Sequence, residues 1–211
     1  MSNLTREFII GDIYHLFNRG VEKRQIFMDE SDRFRFVFCL YECNDANFVR
    51  MDRRIYDRRI RNMARFHLDQ VGQGETLPYS VQSAFQTKRE MLVEIIAFVL
   101  MPNHYHLLLE TPNGGLVDGM RWLQTTYTAR FNARYRLCGH LFQGRYKAII
   151  MDPGEPGYFR TVSDYIHLNP VRAWLMKTVP LRLEDFPWSS YPAYIGKAAR
   201  PAWLHIQRVL S

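Results

Sequence analysis

The spacing of apolar and polar residues changes period several times along this chain, and each change marks an element. "IYHLFNRG" (13–20) has the two-residue rhythm of a strand and closes on Gly20. In "ESDRFRFVFCLYECNDANF" (30–48), Phe34, Val37, Phe38 and Tyr41 recur at helical spacing behind a cap signal at Ser31 and Asp32. Residues 50–90 break the rhythm, first with arginines and then with "QVGQGETLPYS", and read as a basic insertion or mobile arm. "MLVEIIAFVLMPNHYHLLLE" (91–110) holds two apolar runs on either side of "MPN", which predicts two adjacent strands joined by a hairpin turn. After Gly114 and Gly115, "LVDGMRWLQTTYTARFNARYRLCG" predicts a long amphipathic helix ending near Gly139, and "GRYKAIIMD" another strand. "PGYFRTVSDYIHLNPVRAWLM" (156–176) returns to helical spacing.

The resulting order, β-α-(insert)-β-β-α-β, is that of an α+β fold with a ferredoxin-like split βαβ core: an antiparallel sheet with helices on one face. An extra helix follows the last strand. Residues 1–211 read as one domain, with 177–211 a C-terminal extension whose "FPWSSYPAYIGKAARPAWL" wraps irregularly over the core. No internal repeat is evident.

Composition narrows the function classes. A 47% hydrophobic content suits a globular protein with its own core, and no apolar run approaches a bilayer span. Arg6, Glu7 and Asp12 interrupt the stretch where a signal peptide needs apolar residues, which predicts a cytoplasmic protein. Cys39, Cys43 and Cys138 are odd in number and form no C-x-x-C pair, so they read as reduced packing thiols. The excess of 28 Lys and Arg over 21 Asp and Glu favours an anionic partner. That excess is concentrated in "RMDRRIYDRRIRNMARFH", where Arg53, Arg54, Arg58 and Arg59 either contact phosphates bidentately or line a solvated face.

The chemistry starts at "MPNHYHLLLE". On a strand, His104 and His106 share a face and Tyr105 turns to the other, so the pair offers half a metal site. Two imidazoles with oxygen ligands and open positions suit Mg²⁺ or Mn²⁺ polarising a phosphate, whereas structural zinc wants more nitrogen or sulfur. "DYIHLNP" supplies an oxygen ligand and a nucleophile, since Asn169 and Tyr165 are four residues apart and share a helical face. Asn169 also precedes Pro170, and Asn-Pro equally describes a helix cap followed by a first-turn proline. His167 is a second candidate for the third ligand. Tyr127, with Gln124 three residues before it, is a rival nucleophile and ligand pair.

"MPNHYHLLLE" resembles the His-hydrophobe-His (HUH) motif of single-tyrosine, IS200-like transposases. "YHLFNRGVEKRQIF", "GHLFQGRYKA", "YIHLNPVRA" and "PWSSY" resemble, in the same order, blocks of REP-associated tyrosine transposases. The likeness runs over most of residues 13–196 and is weakest over 50–90. It implies a histidine pair on a central strand and a catalytic tyrosine on the helix after the last strand. Carried onto this chain, it makes Tyr165 the nucleophile, leaving a 5′-phosphotyrosine and a free 3′-hydroxyl on single-stranded DNA, and makes His104, His106 and Asn169 the ligands of Mg²⁺ or Mn²⁺. It further implies hairpin DNA as substrate, action at the nucleoid, and a monomer or homodimer. Arg145, Lys147 and Arg172 are the expected phosphate contacts, with surface ion pairs as the alternative. Two rivals remain: an RNA-recognition module, which shares a ferredoxin-like sheet but has no use for H-x-H and a tyrosine, and a metal-dependent phosphodiesterase that uses water.

Overall fold

The structure is a computed structural model that describes residues 8–42, 44–46, 90–151, 157–173 and 182–210. In them the chain runs β1 (Ile13–Arg19), α1 (Glu30–Glu42), β2 (Glu94–Met101), β3 (His104–Glu110), α2 (Leu116–Tyr135), β4 (Lys147–Ile150) and α3 (Tyr158–His167). Three short helical turns follow: α4 (Asn169–Arg172), α5 (Tyr191–Tyr194) and α6 (Gln207–Leu210). The arginine run with Arg53, Arg54, Arg58 and Arg59 lies outside the described residues.

The four described strands form one antiparallel sheet in the order β2-β3-β1-β4. With β3 seated between β1 and β2, this is the split βαβ, ferredoxin-like arrangement expected from the sequence. Pro102 and Asn103 make the turn between β2 and β3, where the "MPN" break predicts it.

The two-residue alternation divides the strands between two cores. Tyr105, Leu107 and Leu109 of β3 join Tyr14 and Leu16 of β1 in a large cluster closed by α1 and α2, where Phe36, Leu123, Tyr127 and Phe131 are buried. On the other face Ile96, Ala97, Val99, Met101 and Leu108 pack against Val162 and Ile166 of α3. A register shift between Ile95 and Ala97 sends Ile95 to the first cluster and both Ile96 and Ala97 to the second. Helix α3 thus lies across the sheet from α1 and α2.

Several element ends differ from the sequence expectation. Asp29, not Ser31 or Asp32, caps α1, because its Oδ1 accepts the Asp32 N–H at 3.0 Å. Asp32 turns back to accept the Met28 N–H at 2.9 Å and pairs with Arg134 of α2 at 2.6 Å, which clamps the two helices together. α2 stops at Tyr135 rather than near Gly139, since Arg136 takes the left-handed conformation (φ 53°) that terminates the helix. The tail is largely irregular, as expected, yet it pairs with the sheet. Leu100 N–H donates to the Trp188 carbonyl at 2.8 Å and Ser190 N–H to the Phe98 carbonyl at 3.0 Å, so the free edge of β2 is covered. Among the described residues no helix is long and apolar enough to cross a membrane.

Candidate active site

β1 and β3 pair with Phe17 opposite His106, which makes His15 and His106 diagonal neighbours on the α3 face. His15 Nε2 lies 2.9 Å from His106 Nδ1. The Tyr165 ring of α3 stands edge-on to both imidazoles, 5.7 Å from His106 and 5.9 Å from His15 between ring centres. His104 lies 5.2 Å from His106 with its ring turned by 87°. Its Nδ1 is 2.7 Å from Asn103 Oδ1, and its Nε2 is 3.1 Å from Asn169 Oδ1.

The position of Asn169 follows from a local break. α3 ends at His167, Leu168 N–H bonds back to the Asp164 carbonyl, and α4 restarts at Asn169 with Pro170 in its first turn, where the missing N–H costs nothing. Leu168 is the residue at the cap, and no side chain caps α4. The Asn169 side chain is therefore free of the capping role its Asn-Pro context suggests. It is buried and faces His104.

Burial governs the electrostatics. It lowers His15 to about 4, and with His15 and His104 alongside it lowers His106 to about 3. His104 is also lowered, by burial first and then by the Arg19 charge, against a raising contribution from Asn169. At neutral pH all three imidazoles are uncharged and keep a lone pair, the form in which histidine binds a cation. Among the described residues no three His, Cys, Asp or Glu side chains gather as a ligand group. The side chains here that could hold a cation are His104 through Nε2, Asn169 through its amide oxygen and the adjacent His106. If the His104 proton sits on Nδ1 toward Asn103, then Nε2 and Asn169 Oδ1 are two acceptors facing one another. Two such acceptors could share a divalent cation as neighbouring ligands.

Beside His104 opens a cleft of about 640 Å³ whose walls carry Arg19, Lys23, Arg145 and Lys147. Its neutral amides are occupied. Asn18 donates to the Gly144 carbonyl and accepts from Arg19 N–H, each at 2.9 Å, Asn103 donates to the Lys23 carbonyl, and the Gln143 Oε1 accepts from Arg19 Nε. The cleft therefore offers mainly positive charge. Gly20 lets the chain turn tightly here, because a Cβ on it would meet the Arg24 carbonyl oxygen at 2.2 Å. Arg172 of α4 places its guanidinium carbon 4.9 Å from the centre of the Tyr165 ring.

Of the residues expected from sequence, His104, His106, Tyr165 and Asn169 come together, with Arg145 and Lys147 in the cleft and Arg172 against Tyr165. The rivals do not join them. Tyr127 is fully buried in the α1/α2 layer with its hydroxyl donating to the Ile26 carbonyl, and burial raises its pKa. Gln124 donates to the Tyr105 hydroxyl on that same face. His167 points away from the site to Ser190 Oγ at 2.8 Å. Sequence reasoning missed His15, Asn103, Arg19 and Lys23. The only signal for His15 was its place in "YHLFNRG", which becomes informative once β1 is known to pair with β3.

The family model described as Transposase IS200 like matches residues 69–169, a span that takes in β2, β3, α2, β4 and α3 and ends on Asn169. Over that span this chain is similar to the IS200-like transposases. Among solved structures, a REP-associated tyrosine transposase bound to a REP hairpin shares the fold of this chain, with a TM-score of 0.55 at 16% identity over 95% of this chain and 89% of that one. A protein of Deinococcus radiodurans R1 assigned as a transposase matches at 16% identity with a TM-score of 0.37, over 78% of this chain and 95% of that one. Among curated proteins none matches this chain.

Proposed function

We propose that this protein is an IS200-like transposase that cleaves and rejoins single-stranded DNA at a REP-like hairpin through a 5′-phosphotyrosine on Tyr165, with Mg²⁺ or Mn²⁺ held by His104, His106 and Asn169. The observation that carries this reading is the approach of the Tyr165 ring to His106, beside the His104 and Asn169 pair, all within one chain.

The cation, when bound, neutralises charge on the scissile phosphate and polarises its P–O bonds. The remaining steps belong to the side chains. Tyr165 gives up its phenolic proton as Oη bonds to phosphorus, the bond from phosphorus to the 3′ oxygen breaks, and that oxygen takes a proton to become a 3′-hydroxyl. The phosphodiester is exchanged for a phosphotyrosine ester of similar energy, so a 3′-hydroxyl from another end reverses the step without ATP. A free tyrosine titrates near ~10 and is a weak nucleophile at neutral pH, so negative charge on Oη needs nearby help. Arg172, packed on the ring, supplies a positive charge for that purpose. Arg19, Lys23, Arg145 and Lys147 line a path for the phosphates of the strand leading to the site. The hairpin substrate is inferred from the fold likeness to the REP-associated enzyme and its bound hairpin.

Tyr165→Phe keeps the ring and its packing but removes the one oxygen that can become a phosphate ester. The variant should bind hairpin DNA and form no adduct that survives boiling in detergent, while Tyr127→Phe should form the adduct normally. An adduct on the Tyr165→Phe protein would move the nucleophile elsewhere. Nicking without any adduct in the wild-type protein would replace this mechanism with a hydrolytic one.

A further inference from the structure

His15 is a buried imidazole that the proposed reaction does not use. Its contact with His106 is head-on. The nitrogens are 2.9 Å apart while the ring centres are 5.1 Å apart, so both nitrogens lie near the line joining the rings. That is the geometry of a hydrogen bond. Two imidazoles converging on one ion from adjacent coordination positions would bring their ring centres closer than this at the same nitrogen separation.

Between two neutral imidazoles one nitrogen must donate and the other accept. If His15 Nε2–H donates, His106 carries its proton on Nε2 and has no lone pair left for a cation. If His106 Nδ1–H donates to His15 Nε2, the His106 Nε2 lone pair is free. His104 is held in the matching way, since Nδ1–H toward Asn103 Oδ1 leaves its Nε2 toward Asn169. Ligating histidines commonly donate their second ring N–H to an outer partner that fixes tautomer and ring orientation.

We propose that His15 is a positioning residue of this transposase: it accepts the Nδ1–H of His106, holding that ring in the plane and tautomer that present Nε2 to the cation. This rests on the reading of His106 as a ligand. A β1 residue then sets the chemistry of a β3 residue across the strand ladder, and His15 carries its own proton on Nδ1.

The test uses the full chain without DNA and two readouts: Mn²⁺ titration followed by electron paramagnetic resonance, and imidazole ¹⁵N shifts in the metal-free protein. Wild type should show neutral His106 protonated on Nδ1. His15→Phe, which keeps an aromatic ring without the acceptor, should bind Mn²⁺ about 10- to 100-fold more weakly. His15→Gln, whose Oε1 can occupy the place of Nε2 and accept, should bind it close to the wild-type level. Thermal melts would separate this from a folding defect. Undiminished Mn²⁺ affinity in His15→Phe, with affinity lost in His106→Ala, overturns this proposal alone, as does a wild-type His106 protonated on Nε2. Equal losses in the Phe and Gln variants would assign His15 to packing and overturn it too. Undiminished affinity in His106→Ala overturns the ligand reading, and the proposal falls with it.

Discussion

On β3, Tyr105, Leu107 and Leu109 point into the layer closed by α1 and α2, while His104 and His106, one residue to either side of Tyr105, point toward α3. In the first layer the two buried tyrosine hydroxyls find partners within the layer: that of Tyr105 receives Gln124 Nε2–H at 2.8 Å, and that of Tyr127 donates to the Ile26 carbonyl. Its aromatic rings pack at 4.9 Å (Phe36 and Tyr105) and 5.1 Å (Phe36 and Tyr127). The second layer is smaller and buries imidazoles whose nitrogens face one another or an amide oxygen. Such groups gain little from apolar transfer and lose hydration, so this face stabilises the fold less for the area it covers. One strand thus carries packing side chains and the candidate site at alternate positions, and the first layer supports the cost of the second.

The largest expected effects come from truncating the two faces at neighbouring residues. His106→Ala should abolish Mn²⁺- or Mg²⁺-dependent cleavage of hairpin DNA and leave hairpin affinity and the melting temperature largely intact. Tyr105→Ala should do the reverse. Removing a large, fully buried ring costs about 3–5 kcal/mol, and leaving Gln124 without its partner adds to that, so the protein should melt far earlier while the folded fraction still cleaves. Cleavage kinetics normalised to folded protein would separate the two. Retained metal-dependent cleavage by His106→Ala would collapse the contrast.

Acid should weaken one face only. The ordinary histidine pKa is 6.5, and burial lowers His15 to about 4, His106 to about 3 and His167 to about 4. Between those limits the unfolded chain binds protons that the folded chain refuses, so unfolding takes up protons and stability falls as pH falls from about 6.5 toward about 4. Tyr105 and Tyr127, raised by burial, bring no change in that range. Metal-free melts at fixed ionic strength should show the decline, and His15→Phe should make it shallower. A flat profile would mean that the buried imidazoles admit protons without cost.

What the sequence made legible was what depends on near neighbours. The hairpin could be read from "MPN" between two apolar runs, and the shared face of His104 and His106 follows from strand period alone. Tyr165 and Asn169 are close in sequence and meet the same pair. Contacts made across the sheet were not legible. His15 and His106 are 91 residues apart and meet only because Phe17 pairs with His106. Tyr127 and Tyr165 both sit on helices with suitable neighbours, and only the placement of α2 and α3 on opposite faces tells them apart. Asn169 misleads for a related reason: its local chemistry favours a cap, but Leu168 takes that position and the side chain turns to His104. At the end of α2, Gly139 looked like the stop, yet Arg136 adopts the left-handed conformation three residues earlier.

The smallest expected effects lie at the rim of the α3 face, where Arg145 and Lys147 line the cleft beside His104. Neither touches the Tyr165 ring among the contacts described, so each should act through the charge of the strand it attracts. A side chain that neutralises one phosphate releases about one counterion, and its loss should reduce the slope of log affinity against log salt by about one. Arg145→Ala and Lys147→Ala should each lower the slope by that amount with little change in the cleavage rate of bound DNA. Alanine at Arg53, Arg54, Arg58 and Arg59 together should lower it by up to about four if that run also meets phosphates. The comparison is between two basic regions of unequal standing: the cleft has a defined place beside the histidines, whereas the run is known from its sequence. Salt titrations of hairpin binding would rank them. An unchanged slope for the cleft variants would assign Arg145 and Lys147 to the solvated surface and leave the path to Tyr165 to Arg19 and Lys23.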